Sequence, residues 1–268
     1  MPEISALWRV APASEAGWPA ELCQDDGLTG YPPPGMPDAA WVLHAMYEHG
    51  QWPDSVSHHQ AHQVRLADGT AEPDAVGSVD LEAGIVTGGE LGRAEHPGPA
   101  WRRLRWAELA HRTGEPVVVE GLLPSYRSAP DGRLEDGSWP VSLHLPAEGS
   151  LDRPSWNRLT DLLLEHSPAG PDTRCLAYYN PLIHHPRAMT AEEFAHRHVL
   201  TGRLGDARAL YDIDEPDFSP SNLWPEDRSW IVYTDYDLWG TKVAGPSSLI
   251  DALVGDAEIE ARRLPWAC

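Results

Sequence analysis

SWIVYTDYDLWGTKVAGPSSLIDALVGDAEIEARRLP, residues 229–265, is the stretch that best predicts the fold, because strand, turn and helix signals follow one another without a gap. Residues 230–236 form a β-branched and aromatic run, and residues 241–244 return as a second strand-like run. The turn between them, LWG at residues 238–240, ends in glycine. These runs and their turn predict a β-hairpin.

The same stretch continues as a helix and a last strand. Gly245 and Pro246 end the hairpin, and an apolar stripe over residues 248–254 predicts a short amphipathic helix. Residues 258–264 then predict a strand that ends before Pro265.

An earlier part of the chain has a similar order of elements. Residues 139–145 and 174–179 predict strands, and residues 153–166, with Pro154 in the first turn, predict the helix between them. These strands and helices predict an α+β fold. The 23 Gly and 26 Pro predict long irregular Pro/Gly-rich connections between them. We expect an antiparallel or mixed sheet with both helices on one face, built from residues 139–145, 174–179, 230–236, 241–244 and 258–264.

The amino-terminal half carries fewer clear signals. Residues 38–50 and 101–111 predict amphipathic helices, and residues 117–123 predict a buried strand. We expect this half to pack against the sheet of the second half. By composition the chain divides into an amino-terminal α+β region (1–124), a polar linker or excursion (125–138) and a carboxyl-terminal α+β region (139–268), which can pack as one domain.

The composition restricts the function classes. With 41 Asp and Glu against 20 Lys and Arg, the net charge of −21 disfavours nucleic acid as a partner, because phosphates are repelled. There is no apolar run long enough to span a membrane and no secretory leader, so we expect a cytoplasmic protein without membrane contact. Lys242 is the only lysine. A GC-rich coding sequence explains this most simply, and a functional lysine is the alternative.

The hairpin carries the first candidate binding residues. Asp235 and Asp237 stand two apart, hence on one face of a strand. Paired carboxylates hold a cation or divide acid and base roles, although Asp237 also suits the first position of a turn. Trp239 lies at the predicted tip, where an indole either meets a partner or packs under a neighbouring loop.

Other candidate residues lie near the end of the strand at residues 174–179. Tyr178 and Tyr179 are adjacent and therefore point to opposite faces, so that one lines a pocket while the other packs. A histidine cluster follows and predicts a metal site, with solvated loop histidines as the alternative. Its members are His184, His185, His196 and His198. No nucleotide-binding or nucleophile motif is present, so the cofactor, if any, is unknown.

Three pieces, CLAYYNP (175–181), DFSPSNLWP (217–225) and SWIVYTDYDLWGTKVAGP (229–246), resemble an uncharacterised family of actinobacterial soluble proteins over most of the chain. That resemblance implies no activity. The closing hairpin, helix and strand are also similar to elements of small bacterial immunity proteins, which neutralise a toxin by covering its active surface.

Charge and resemblance together lead to one expectation and one alternative. We expect an acidic interaction protein of the immunity or inhibitor type that covers a basic protein partner through Asp235, Asp237 and Trp239. The alternative is a small-molecule enzyme with a pocket at the strand ends, lined by Tyr178 or Tyr179, Trp239 and Asp235. In a metal-dependent form of this enzyme, the histidine cluster above holds the metal. Acidity that serves solubility alone is the simplest explanation of the charge.

Overall fold

A computed structural model describes residues 7–22, 36–70, 79–80, 85–86, 96–119, 122–179, 199–212, 218–235 and 237–264. The strands are β1 (Arg9–Val10), β2 (Asp38–Leu43), β3 (Met46–His49), β4 (Val79–Asp80), β5 (Ile85–Val86), β6 (Trp101–Leu104), β7 (Leu143–His144), β8 (Arg174–Tyr178), β9 (Val199–Arg203), β10 (Asn222–Pro225), β11 (Ile231–Thr234), β12 (Gly240–Gly245) and β13 (Glu260–Arg263). The helices are α1 (Gly17–Leu22), α2 (His58–Ala67), α3 (Trp106–Thr113), α4 (Arg153–Glu165) and α5 (Ser247–Gly255). Short 3-10 segments cover Ala13–Ala16, Gly170–Asp172 and Leu204–Asp212.

The main sheet has eight strands in the order β1-β9-β8-β10-β11-β12-β2-β13. All of its neighbouring pairs are antiparallel. In the hairpin, Ile231 lies opposite Ala244 and Thr234 lies opposite Thr241. The α+β class is therefore confirmed, and the sheet is antiparallel throughout.

Helices α4 and α5 cover one face of this sheet, as predicted. Trp156 and Leu159 of α4 and Leu253 of α5 share a core with the strand residues Val232 and Val243. Each fully buried aliphatic side chain of this kind contributes about 1.5–3 kcal/mol. We call this side of the sheet the helix face and the other side the open face.

Helix α4 begins where its sequence signals place it. The Asp152 carboxylate accepts a hydrogen bond from the Ser155 backbone N–H at 3.1 Å, so it caps the first turn. Pro154 is in that turn, where its missing N–H leaves no bond unmade. Asp152 also accepts a hydrogen bond from the Tyr47 hydroxyl at 2.5 Å, which ties α4 to β3.

A second, three-stranded sheet lies beyond the open face in the order β6-β3-β7. Its residues Met46, Leu104 and Leu143 share a core with Trp41 and Leu43 of the main sheet. Placing residues 139–145 in the main sheet was therefore wrong, because β7 pairs with β3. Alternation within a strand predicts the strand and leaves its pairing partner undetermined.

Residues 38–50 form two strands, β2 and β3, so the predicted helix is wrong. All six residues of β2 are buried, and the strand pairs with β12 on one side and β13 on the other. A strand covered on both faces shows no alternation, and its apolar pattern resembles that of a buried helix. This strand of the amino-terminal half thus lies inside the main sheet and does not pack against it.

Residues 101–111 also divide, into β6 and the start of α3. The carboxylate of Glu260 accepts hydrogen bonds from the backbone N–H groups of Trp106 at 2.8 Å and Ala107 at 2.9 Å. This distant residue caps α3, so no local cap signal marks the helix start. Residues 117–119 and 122–123 form no strand, and Leu122 is 52% exposed, so the predicted buried strand is wrong as well.

The polar segment 125–138 contributes to the second core. The Tyr126 ring lies 5.6 Å from that of Trp239, and Ala129 is buried. The division of the chain at this segment stays a prediction. None of the described helices has the length and apolarity that crossing a membrane requires.

Candidate functional site

A row of polar and aromatic side chains crosses the open face of the main sheet. The strand register places Tyr178 opposite Asn222, Asn222 opposite Tyr233, Tyr233 opposite Lys242 and Lys242 opposite Trp41. Residues directly opposite on neighbouring strands point to the same face. At about 4.8 Å per strand, these five side chains span roughly 19 Å. We call them the Lys242 row.

Lys242 is the buried charged residue of this row. The residue is 6% exposed, although lysine is almost never fully buried without compensation. Its Nζ lies 5.9 Å from the centre of the Trp41 ring and 5.5 Å from that of Tyr233. Aromatic faces at these distances attract an ammonium group by about 1–2 kcal/mol when water is excluded.

A carboxylate lies within hydrogen-bonding distance of the Tyr233 hydroxyl. Asp235 follows β11 by one residue and is 5% exposed. Its Oδ2 accepts a hydrogen bond from the Tyr233 hydroxyl at 3.0 Å. Tyr233 therefore contacts Asp235 through its hydroxyl and Lys242 through its ring. An amine, a phenol and a carboxylate in this order suit the binding of a polar ligand and the transfer of a proton.

The two adjacent tyrosines point to opposite faces, as predicted. Tyr178 is half-buried on the open face, and this burial raises the pKa of its hydroxyl. Tyr179 is buried on the helix face, where its hydroxyl donates to the Leu210 carbonyl oxygen at 2.5 Å. Of the two tyrosines, only Tyr178 lies on the face that carries Tyr233, two strands away from it.

The tip of the hairpin differs from the prediction. Trp239 is 2% exposed and packs against the rings of Trp106 at 6.2 Å, Tyr126 at 5.6 Å and Trp139 at 6.3 Å. The prediction that Trp239 meets a partner at an exposed tip is therefore wrong, because the second sheet and the 125–138 segment cover the indole. Asp237 is exposed in the turn, while Asp235 is buried, so the two carboxylates do not form one surface.

Glu148 is a further acidic residue at this turn. Burial and the nearby charge of Asp237 raise the pKa of Glu148 to about 7, against the opposing effect of the Trp239 indole N–H. The loop that carries Glu148 is held to the hairpin, because the Gly149 N–H donates to the Leu238 carbonyl oxygen at 3.0 Å. Sequence reasoning missed this residue, since only tertiary packing brings it beside Asp237.

Glu148 should make the protein less stable as the pH rises. Its folded-state pKa of about 7 is above the ordinary value of 4.5, so its stabilising effect is present below pH 4.5 and is lost as the pH rises through 7. A shift of this size corresponds to a ceiling of about 3 kcal/mol, which partial exposure reduces to about 1–2 kcal/mol. We expect Glu148→Gln to raise the free energy of unfolding at pH 8 by that amount and to change it little at pH 4.5, measured by urea titration.

The control for this comparison is Glu258→Gln, whose side chain is 74% exposed. The difference in free energy of unfolding between this variant and wild type should be the same at pH 4.5 and pH 8. A Glu148→Gln difference that is constant with pH would contradict the assignment.

His44 lies at the junction of the two sheets and is another buried titratable group that the sequence did not reveal. Its Nδ1 donates to the Ala147 carbonyl oxygen at 2.7 Å, so Nε2 accepts from the Thr241 hydroxyl at 3.0 Å. Thr234 then donates to Thr241 at 2.7 Å. Burial lowers the pKa of His44 to about 4, so the ring is neutral at pH 7 and its stabilising effect is lost as the pH falls from 6.5 towards 4. This satisfied chain of hydrogen bonds marks His44 as structural.

The predicted metal ligands lie outside the described residues. They are His184, His185, His196 and His198. Within the described ranges, no group of three or more His, Cys, Asp or Glu side chains is placed to hold a metal ion. The metal site therefore stays a prediction.

Sequence reasoning found part of the Lys242 row. Tyr178 of the row is a candidate, as is Asp235 beside Tyr233, and Lys242 is distinguished only by being the single lysine. Trp41 was assigned to a helix, and Asn222 carried no signal at all. The alternation of side chains in the hairpin places Lys242 and Tyr233 on the same face. This pattern could have predicted that the two residues are neighbours.

Comparisons with known proteins do not assign the chain. No family model matches it, and neither the curated proteins nor the solved structures include a significant match.

Proposed function

We propose that the protein is an enzyme acting on a small molecule, and that a carbonyl or carboxylate oxygen of its substrate contacts the Lys242 amine. The observation that carries this proposal is the burial of the only lysine of the chain in an interior strand of the main sheet. A lysine amine serves enzymes as a point charge for anions or as a nucleophile towards carbonyl groups.

The neighbours of Lys242 supply the remaining roles. The hydrogen-bonded pair Tyr233–Asp235 is placed to exchange a proton with a bound molecule, since its O–O distance is 3.0 Å. Trp41 and Tyr178 offer aromatic surface for the apolar part of a substrate. Burying a charged amine or carboxylate costs free energy unless it is compensated, so buried positions for Lys242 and Asp235 favour a functional role.

The single lysine makes this proposal testable by amine chemistry. Pyridoxal 5′-phosphate with cyanoborohydride labels only amino groups. Peptide mass spectrometry therefore has to distinguish only two labelled sites, Lys242 and the α-amino group. We expect Lys242 to be labelled in the native protein at a saturable rate far above the rate that global unfolding would allow, because a substrate site admits an anionic carbonyl compound. Lys242→Met is the matched variant and should remove the saturable component.

A purely structural lysine would behave differently. It would be protected by about a hundredfold or more in the native state and labelled only on unfolding, since access would require global opening. That protection would overturn the proposal.

The charge of −21 favours a second candidate function, an acidic cytosolic protein of the immunity or inhibitor type that covers a basic partner. Trp239 is buried and does not serve as the anchor of such an interface in this conformation. Asp237 is exposed in the turn and stays available for the contact.

For this second function, a partner captured from the native host should associate more slowly as salt rises. Its association rate constant should fall by at least about tenfold between ~50 and ~500 mM salt, because screening shortens to a few ångströms. Asp237→Asn should slow association further, and Arg208→Gln, far from the turn, should not. An association rate that salt leaves unchanged would rule this function out.

A further inference from the structure

A cavity of about 370 Å³ opens on the open face at the other end of β8, β9 and β10. Its floor is apolar and consists of Leu176 and Trp224, which lie opposite each other and are 5% and 2% exposed. Trp18 of α1 forms one wall, with its ring 6.5 Å from that of Trp224. The volume is at the lower end of the range for small-ligand sites, about 300–1,000 Å³.

The rim of this cavity is charge-balanced. It carries two cations, Arg174 and Arg228, and two anions, Glu15 and Glu226. This balance contrasts with the chain as a whole, whose net charge is −21. Arg174 is held in position, because its Nη2 donates to the Thr201 hydroxyl at 3.3 Å and its Nε lies 3.5 Å from Glu226.

Arg228 reaches the cavity through an unfavourable backbone conformation. Its φ of 58° makes it the only non-glycine residue with positive φ in the described ranges. The turn is closed by a hydrogen bond of 2.9 Å from the Arg228 N–H to the Pro225 carbonyl oxygen. It places the guanidinium 5.4 Å from the centre of the Trp18 ring. Glycine would suit this position better, so keeping an arginine there points to a use for its side chain.

We propose that this cavity binds a small zwitterion, namely an α-amino acid with an apolar or aromatic side chain. The carboxylate contacts the guanidinium groups of Arg174 and Arg228, as carboxylates commonly do. The ammonium contacts Glu226, and the side chain rests on Leu176 and Trp224. The site is separate from the Lys242 row and does not depend on the function proposed there.

The test compares ligands that lack one charge. The probes are L-phenylalanine, L-leucine and L-methionine, with phenethylamine and hydrocinnamate as analogues lacking the carboxylate or the ammonium. By titration calorimetry we expect at least one amino acid to bind, and L-phenylalanine to bind about tenfold or more tightly than either analogue. Equal binding of hydrocinnamate and L-phenylalanine would overturn the zwitterion assignment, and so would no binding by any of the three amino acids at about 10 mM.

Arg228→Gly separates binding from folding. Glycine accepts the positive φ without strain, so the variant should unfold at the same or a higher denaturant concentration than wild type. It should nevertheless lose about tenfold or more in affinity for the amino acid that binds best. The control Arg208→Gln, whose guanidinium pairs with Asp161 on the helix face, should bind as wild type does.

Two further outcomes decide the assignment. Unchanged binding in Arg228→Gly would overturn it. Loss of binding in Lys242→Met, with Arg228→Gly unaffected, would place the ligand at the Lys242 row instead.

Discussion

Trp239→Ala should be the most destabilising substitution proposed for this protein, lowering the free energy of unfolding by about 3–5 kcal/mol. The indole is 2% exposed and packs among three aromatic rings, those of Trp106, Tyr126 and Trp139. Truncation leaves a cavity that rigid neighbouring rings fill poorly, since the cost rises with the volume left empty. Urea-induced unfolding at pH 7 measures the loss.

Trp52→Ala is the matched control, because Trp52 is 48% exposed. It should cost no more than about 1 kcal/mol, mainly through its contacts with His49 and Trp101. A loss below about 1 kcal/mol for Trp239→Ala would show that the hairpin tip is not packed as described. In that case Trp239 would again be available as a binding residue.

Gly202→Ala should be the second large effect, a loss of about 1–3 kcal/mol or more from overpacking. A Cβ atom at this position in β9 would lie 2.5 Å from Cδ2 and 2.8 Å from Cε2 of Trp8. Trp8 has no exposed surface, and its indole donates to the Asp206 carbonyl oxygen at 3.0 Å. The ring cannot move away without breaking that bond or shifting β9.

Gly50→Ala is the control for this substitution. A Cβ there would meet nothing within 4 Å, and its φ is not in the left-handed region. Thermal unfolding should therefore leave Gly50→Ala within about 1 kcal/mol of wild type, since alanine also restricts the unfolded chain. Equal stability of the two variants would mean that Trp8 does not lie flat on β9.

Local sequence patterns identified some residues of the candidate sites, whereas only the fold shows which of these residues lie together. Sequence placed Asp235 and Tyr178 at strand ends and marked Lys242 as unusual, but it did not show that they share one face of one sheet. That face is assembled by pairing β8, β10, β11, β12 and β2 across the chain. The sequence does not reveal the cavity near Trp224 for the same reason, because its walls come from separate segments, 11–18, 174–176, 201 and 224–228.

The sequence by itself determined the elements whose signals are local. The β11–β12 hairpin, the capped helix α4 and helix α5 all follow from patterns within a few residues. Alternation, caps and turn residues act through neighbours along the chain, so they are readable without the fold.

Only the tertiary structure decided the remaining features. β2 is a strand because β12 and β13 bond to both of its edges, and α3 begins where it does because Glu260, 154 residues away in sequence from Trp106, caps it. Trp239 is buried because a second sheet covers the tip of the hairpin. Burial on both faces and caps from distant residues depend on which segments meet, and a single sequence carries no local signal for that choice.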